Sequence, residues 1–119
     1  MPARATIDAF VAAVESGDYL GAIERYYHPD ASMQENQSPP RSGRDALIAH
    51  ETKMLAGVAS GRTLPAGAVR VEGDTVVING VFEFTGRDGR VRRLDELAMQ
   101  TWDGERIRRE RFYYDPGTF

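Results

Sequence analysis

The sequence predicts an α+β fold: a cone-shaped, curved, mostly antiparallel sheet wrapped around three N-terminal helices. Three observations predict it. In the first half, apolar residues recur at the i, i+3, i+4, i+7 spacing of helices. From residue 63 onward the period falls from 3.6 to 2, the alternation of half-buried strands. Asp88-Gly89 and Asp103-Gly104 then fall between alternating runs, as hairpin turns do, and read as type I′. Helices followed by a meander argue against alternating βαβ units.

Each element follows from local chemistry. Ile7, Phe10, Val11 and Val14 make one face of a first helix, which Ser16-Gly17 ends. Asp18 caps a short second helix with the face Leu20, Ile23 and Tyr27, and Pro29 stops it. Residues 31–36 form the first strand, and Pro39-Pro40 turns the chain. Ser42 with Asp45 reads as a capping box for a third helix. Its stripe is Leu47, His50, Glu51, Met54, Leu55 and Val58, and Gly57 and Gly61 loosen its end. Strands are predicted near 64–72, 75–86, 90–102 and 105–114, with Gly73-Asp74 as a further turn. The 119 residues suit one domain, 1–119, with a single core.

Composition narrows the function. A net charge of -3 argues against a general nucleic-acid binder, although arginines cluster in the last strands. The absence of cysteine removes disulfides and thiolate metal sites, and two histidines are too few for a His-rich one. No apolar run approaches the roughly 20 residues that span a bilayer, and no signal pattern opens the chain. A cytoplasmic protein without a cofactor is the expectation, with neither membrane nor nucleic acid as a partner.

The stretch from Ala31 to Glu51 is the most informative. Strand parity puts Glu35 with Ala31 and Met33 on the inward face, and His50 and Glu51 interrupt the apolar helix stripe. Buried charge is costly unless it is paired or wet, so a lined cavity accounts for these three residues better than a dry core. A carboxylate desolvated there suits general acid–base chemistry near neutral pH, and His50 near Glu35 would complete an acid–base pair. On the sheet, Val76, Ile78, Phe82 and Phe84 share an apolar face. Leu94, Glu96, Ala98, Gln100 and Trp102 share one parity of the next strand; Val91, Leu97, Met99 and Thr101 share the other. Both parities are partly apolar, which fits a sheet with helices on one side and a second copy on the other. Whether Glu96 faces cavity or partner stays open. In the last strand Glu110, Phe112 and Tyr114 share one parity, and Ile107, Arg109, Arg111 and Tyr113 the other. Phe112 and Tyr114 inside bring Glu110 inside too.

Nearly the whole chain, from FVAAVESGD through YYHPDASMQEN, PPRSGRDALIAHE, VFEFTG and WDGERIRRERFYYD, resembles the nuclear-transport-factor-2-like superfamily. It looks closest to SnoaL-like polyketide cyclases and steroid delta-isomerases. The resemblance implies an α+β roll, dimeric through its sheet. It implies that Glu35 stands where steroid isomerases carry their proton-shuttling base, Tyr27 at a pocket tyrosine, and His50 and Glu51 at two aromatic pocket positions. Glu110 falls on the last-strand acid/base of the cyclases and of limonene-epoxide-hydrolase-like enzymes. Two departures count. The isomerase oxyanion donors match Phe10 and Ala98, which cannot donate. The Arg-x-Asp of the epoxide hydrolases meets Phe82-Glu83-Phe84.

The expected function is therefore a small-molecule pocket, with Glu35, His50 and Glu110 as catalytic residues. Lining positions would be Phe10, Tyr27, Glu51, Met54, Phe82, Phe84, Glu96, Ala98, Gln100, Trp102, Phe112 and Tyr114. The chemistry would be a cofactor-independent isomerase, cyclase or hydratase acting on a small hydrophobic carbonyl compound. The alternative is a non-catalytic ligand-binding or dimerisation domain on the same fold.

Overall fold

A computed structural model describes residues 1–118. Helices α1 (Arg4–Glu15) and α2 (Tyr19–Tyr26) lead into strand β1 (Tyr27–Glu35), the two-residue β2 (Arg41–Ser42) and helix α3 (Arg44–Ala56). Strands β3 (Val58–Thr63), β4 (Val69–Glu72), β5 (Thr75–Gly86), β6 (Val91–Asp103) and β7 (Arg106–Tyr113) follow, then a 3-10 turn, Pro116–Thr118. The sheet order is β2-β1-β7-β6-β5-β3, with β4 also on β5. All neighbours are antiparallel except β1 and β7, which run parallel. Three helices on a strongly curled mixed sheet make the expected α+β cone.

The core closes one end. Ile7 and Phe10 of α1, Ile23 of α2 and Leu47 of α3 pack on Ala31, Val76, Trp102 and Ile107 of the sheet. Phe10 stands edge-on to Tyr26, Tyr27 and Trp102, the geometry that aromatic quadrupoles favour. Asp18 caps α2 as expected, accepting from the Gly21 amide at 3.1 Å. Gly17, at φ +87°, ends α1 with its amide on the Val14 carbonyl.

Several expectations need correction. Tyr27 leaves α2 and opens β1, because His28 precedes a proline and is held extended. Pro29 consequently lies inside β1, where the pairing with β7 slips between Tyr27 and Ser32. Ser42 does not cap α3: it is taken up by β2, and Gly43 is the N-cap with no side-chain bond. Val58 belongs to β3, a strand absent from the expectation, while residues 64–68 lie between strands. The Asp-Gly turns are not type I′, since neither Asp88 nor Asp103 has positive φ. Gly104 alone does before Glu105, the pattern of type II′, and Gly89 at φ +82° closes a three-residue loop from Gly86 to Arg90. In β7, Trp102 pairs with Ile107 but Thr101 with Arg109, so Arg108 bulges. That extra residue lets Ile107 and Glu110, assigned to opposite parities, both point inward.

Candidate active site

The open end of the cone holds a cavity of about 170 Å³. It is close to the roughly 150 Å³ that accommodates benzene in an apolar cavity, so its scale is one or two rings. Its wall is largely aromatic and aliphatic: Phe82 stacks on Phe84 with their ring centroids 6.1 Å apart, and Phe10, Met33, Met54 and Phe112 add to it. Five glutamates from five elements line the cavity: Glu15 at the exposed end of α1, Glu35 from β1, Glu51 from α3, Glu96 from β6 and Glu110 from β7.

Glu110 is the deepest, at 4 % exposure. The Tyr27 hydroxyl donates to its Oε1, and the Gln100 amide Nε2 donates to its Oε2 at 2.6 Å. The parallel β1–β7 pairing and the antiparallel β6–β7 pairing bring both donors there; Gln100 sits directly opposite Glu110 in register. Burial pushes the Glu110 carboxyl up to about 7; the two donated bonds oppose that rise, and the Glu51 charge adds to it. Tyr27, buried beside that carboxylate, is raised well above the ordinary phenol value and stays a donor.

Glu96 has no such support. Among the described residues its carboxyl has no hydrogen-bond or ion-pair partner, and burial, then Glu110, Glu35 and Glu51, push it up to about 8. Glu51 is pushed up to about 6, by burial first and then by Glu35. At neutral pH the cavity therefore holds both protonated and ionised carboxyls within electrostatic reach of one another. At the rim, burial raises the Tyr114 phenol, helped by Glu35. The Tyr19 hydroxyl lies 2.6 Å from that of Thr63, which in turn donates to the Val14 carbonyl at 2.9 Å.

Glu35, His50 and Glu110 all face the cavity, as do Phe10, Tyr27, Glu51, Met54, Phe82, Phe84, Glu96, Ala98, Gln100, Phe112 and Tyr114. Glu96 thus faces inward, away from the outer sheet surface. His50 makes no ion pair with Glu35 or any other carboxylate among the described residues, so that pair is not formed. Trp102 does not line the cavity: it is buried behind it, with its indole N–H on Gln100 Oε1 at 2.9 Å. Its parity was right, but it lies at the closed end of β6 under Phe10. Sequence reasoning missed Arg41, which lines the cavity with no ion pair among the described residues, and the Tyr19–Thr63 rim pair. Met33 lies opposite Arg41 in register, so a β1–β2 ladder would have signalled it, but the prolines hid β2. No group of His, Cys, Asp or Glu among the described residues is arranged to hold a metal ion. No helix among them is long and apolar enough to cross a membrane.

The comparisons with known proteins agree with this fold. The sequence profile of the SnoaL-like domain matches residues 7–110. No curated protein sequence matches significantly. Among solved structures, a protein of Mesorhizobium loti named as a SnoaL-like polyketide cyclase superposes with a TM-score of 0.80 at 25 % identity, covering 96 % of this chain and 100 % of that one. A protein with a ketosteroid isomerase-like fold from Catenulispora acidiphila, in complex with trimethylamine, reaches 0.79 at 16 % identity over 95 % of this chain and 87 % of that one. An LEH-like epoxide hydrolase of M. tuberculosis reaches 0.76 at 14 % identity over 95 % and 82 %. With the profile spanning most of its length and the same cone beneath it, this chain belongs to the SnoaL-like domain family.

Proposed function

We propose that the cavity is a cofactor-independent acid–base site for a small, largely apolar carbonyl compound, in a cytoplasmic protein that dimerises through its sheet. One observation carries the reading: a carboxylate at the floor of an apolar cavity has each oxygen held by its own donor, and it shares that cavity with Glu35, Glu51 and Glu96. Glu110 takes the proton alpha to the carbonyl, and the electron pair moves onto the carbonyl oxygen. Glu96, protonated near neutral pH, donates a hydrogen bond to that developing oxyanion, filling the role that Phe10 and Ala98 cannot. Returning the proton to another carbon gives isomerisation; attack of the enolate carbon on an internal carbonyl gives cyclisation. The base role first read for Glu35 passes to Glu110, because only Glu110 has both oxygens fixed. Glu35 and His50 remain on the cavity wall, placed to exchange protons with substrate or solvent.

The test is solvent exchange. A panel of small cyclic ketones and enones is incubated with protein in D2O, and loss of alpha-proton signal is followed by NMR. Exchange should be accelerated, and Glu110→Gln should lower the rate by about 100-fold or more. Unchanged exchange in that variant would overturn the assignment.

A second reading draws on the trimethylamine in the Catenulispora acidiphila protein and on the unpartnered Glu51 and Glu96 carboxyls. A small lipophilic ammonium would satisfy both charge and wall, in a binding module without turnover. Trimethylamine binding that strengthens from pH 6 to pH 8, as these carboxyls ionise, with no ketone exchange would favour it.

A further inference from the structure

We propose that Trp102 is a positioning residue which, through Gln100, fixes Glu110 as the proton acceptor of the cavity. The argument is one of donor and acceptor count. An indole N–H can only donate. Trp102 Nε1 stands 2.9 Å from Gln100 Oε1, so it dictates which way the Gln100 amide lies. The other end of that amide, Nε2, can only donate, and it meets Glu110 Oε2 at 2.6 Å. Turned over, the amide would set its Nε2 hydrogens against the indole hydrogen and its oxygen against the carboxylate, losing two hydrogen bonds inside a dry site. Gln100 is fully buried and Trp102 is 2 % exposed, so water cannot compensate. On the other side Tyr27 donates to Oε1. Every hydrogen in the chain from Trp102 to Gln100 to Glu110, and from Tyr27 to Glu110, points toward one carboxylate.

The arrangement separates groups of the same residue type. Glu96 receives no donated bond among the described residues and is pushed up to about 8, against about 7 for Glu110, so Glu110 gives its proton up before Glu96 does, while Glu51, at about 6, ionises before either. A sheet detail makes it possible. Gln100 and Trp102 are two apart on β6, on one face, and the Arg108 bulge brings Glu110 into the same layer opposite Gln100. The network deepens the acid–base reading above and rests on it for its use. Its test reads titration rather than turnover, so the two can fail separately.

The experiment is carboxyl NMR on protein labelled with 13C at the glutamate side chain, with Glu110 assigned from Glu110→Gln. The titratable and charged groups that share the cavity with Glu110 are Tyr27, Glu35, Arg41, His50, Glu51, Glu96 and Tyr114, with Glu15 and Tyr19 also in its lining, and all the glutamate resonances are followed together. Trp102→Phe removes the indole hydrogen while keeping a ring against Phe10. It should raise the apparent Glu110 pKa by about one unit, as loss of support to an ionised group requires. Gln100→Met should raise it at least as far, and adding Trp102→Phe to Gln100→Met should shift it no further. If Trp102→Phe leaves the Glu110 titration unmoved, or shifts it equally with Gln100 already replaced, the assignment is overturned. Should Trp102→Phe not fold, Gln100→Met with an unmoved titration overturns it alone.

Discussion

A carboxyl that gains pKa on folding binds its proton more tightly in the native state, and the sign of its linkage follows. Glu96, Glu110 and Glu51 are raised to about 8, 7 and 6 from the usual 4.5. Their contribution to stability is fully present below the unfolded value and is lost as pH climbs through those three folded values. Thermal stability should therefore decline between about pH 5 and pH 9. Most single-domain proteins rely on ionised, paired carboxylates, for which the trend is reversed. Glu96 is the sharpest probe, because it lacks a donor to lose. Glu96→Gln should leave the melting temperature near that of the wild type at pH 5 and raise it by several degrees at pH 9, measured by calorimetry at both. The same change should slow ketone exchange, so stability and activity move in opposite directions at one position. That trade-off is expected where a site keeps like charges together.

Among the elements, those with strong local chemistry were legible and those shaped by partners were not. The β5 boundaries could be read because one face of that strand is apolar against the helices; the inward face of β6 could not, because both of its parities are partly apolar. Strand β3 could not: VASGRT has no alternation, and it pairs only because β5 offers it an edge. Gly61, read as loosening a helix end, sits in that strand against an aromatic ring. A Cβ there would stand 2.6 Å from Cδ1 of Phe84, whose ring is buried and stacked on Phe82. Gly61→Ala should cost about 1–3 kcal/mol in denaturant unfolding, since the stacked pair must shift. Helix α3 was half legible. Its stripe is polar because much of it borders a cavity: only Leu47 is fully buried, while His50, Glu51 and Met54 meet empty space. Tyr27 was misplaced because Leu20, Ile23 and Tyr27 keep a helical spacing past the end of the helix. The Arg108 bulge leaves no mark on a two-residue alternation, and only the opposite strand reveals it. The convergence of Glu35 and Glu110 was legible from parity. The donors that distinguish Glu110 from its neighbours were not, because a hydrogen-bond network is a property of the assembled sheet.

At the scale of the molecule, the sheet has one face on the helices and another open. Leu97 and Met99 of β6 and Tyr113 of β7 are adjacent on that outer face, 48 %, 48 % and 41 % exposed, with Leu97 directly opposite Tyr113. The proposed dimer would bury this patch and leave the cavity mouths free. Leu97→Asp should convert a dimer to a monomer in light scattering without changing the carboxyl titrations; a wild-type chain that is monomeric at all concentrations would refute the interface. The buried network has a practical corollary. Trp102 is the sole tryptophan of the chain, and it is one hydrogen bond from Gln100 and two from Glu110. Excited at wavelengths that tryptophan absorbs and tyrosine does not, this molecule emits from a single indole wired to the carboxylate at the cavity floor. Charge arriving at or leaving that carboxylate changes the field on the fluorophore, and a ligand seated above it does the same. An unlabelled sample in a fluorimeter can thus screen compound libraries for whatever this fold accommodates.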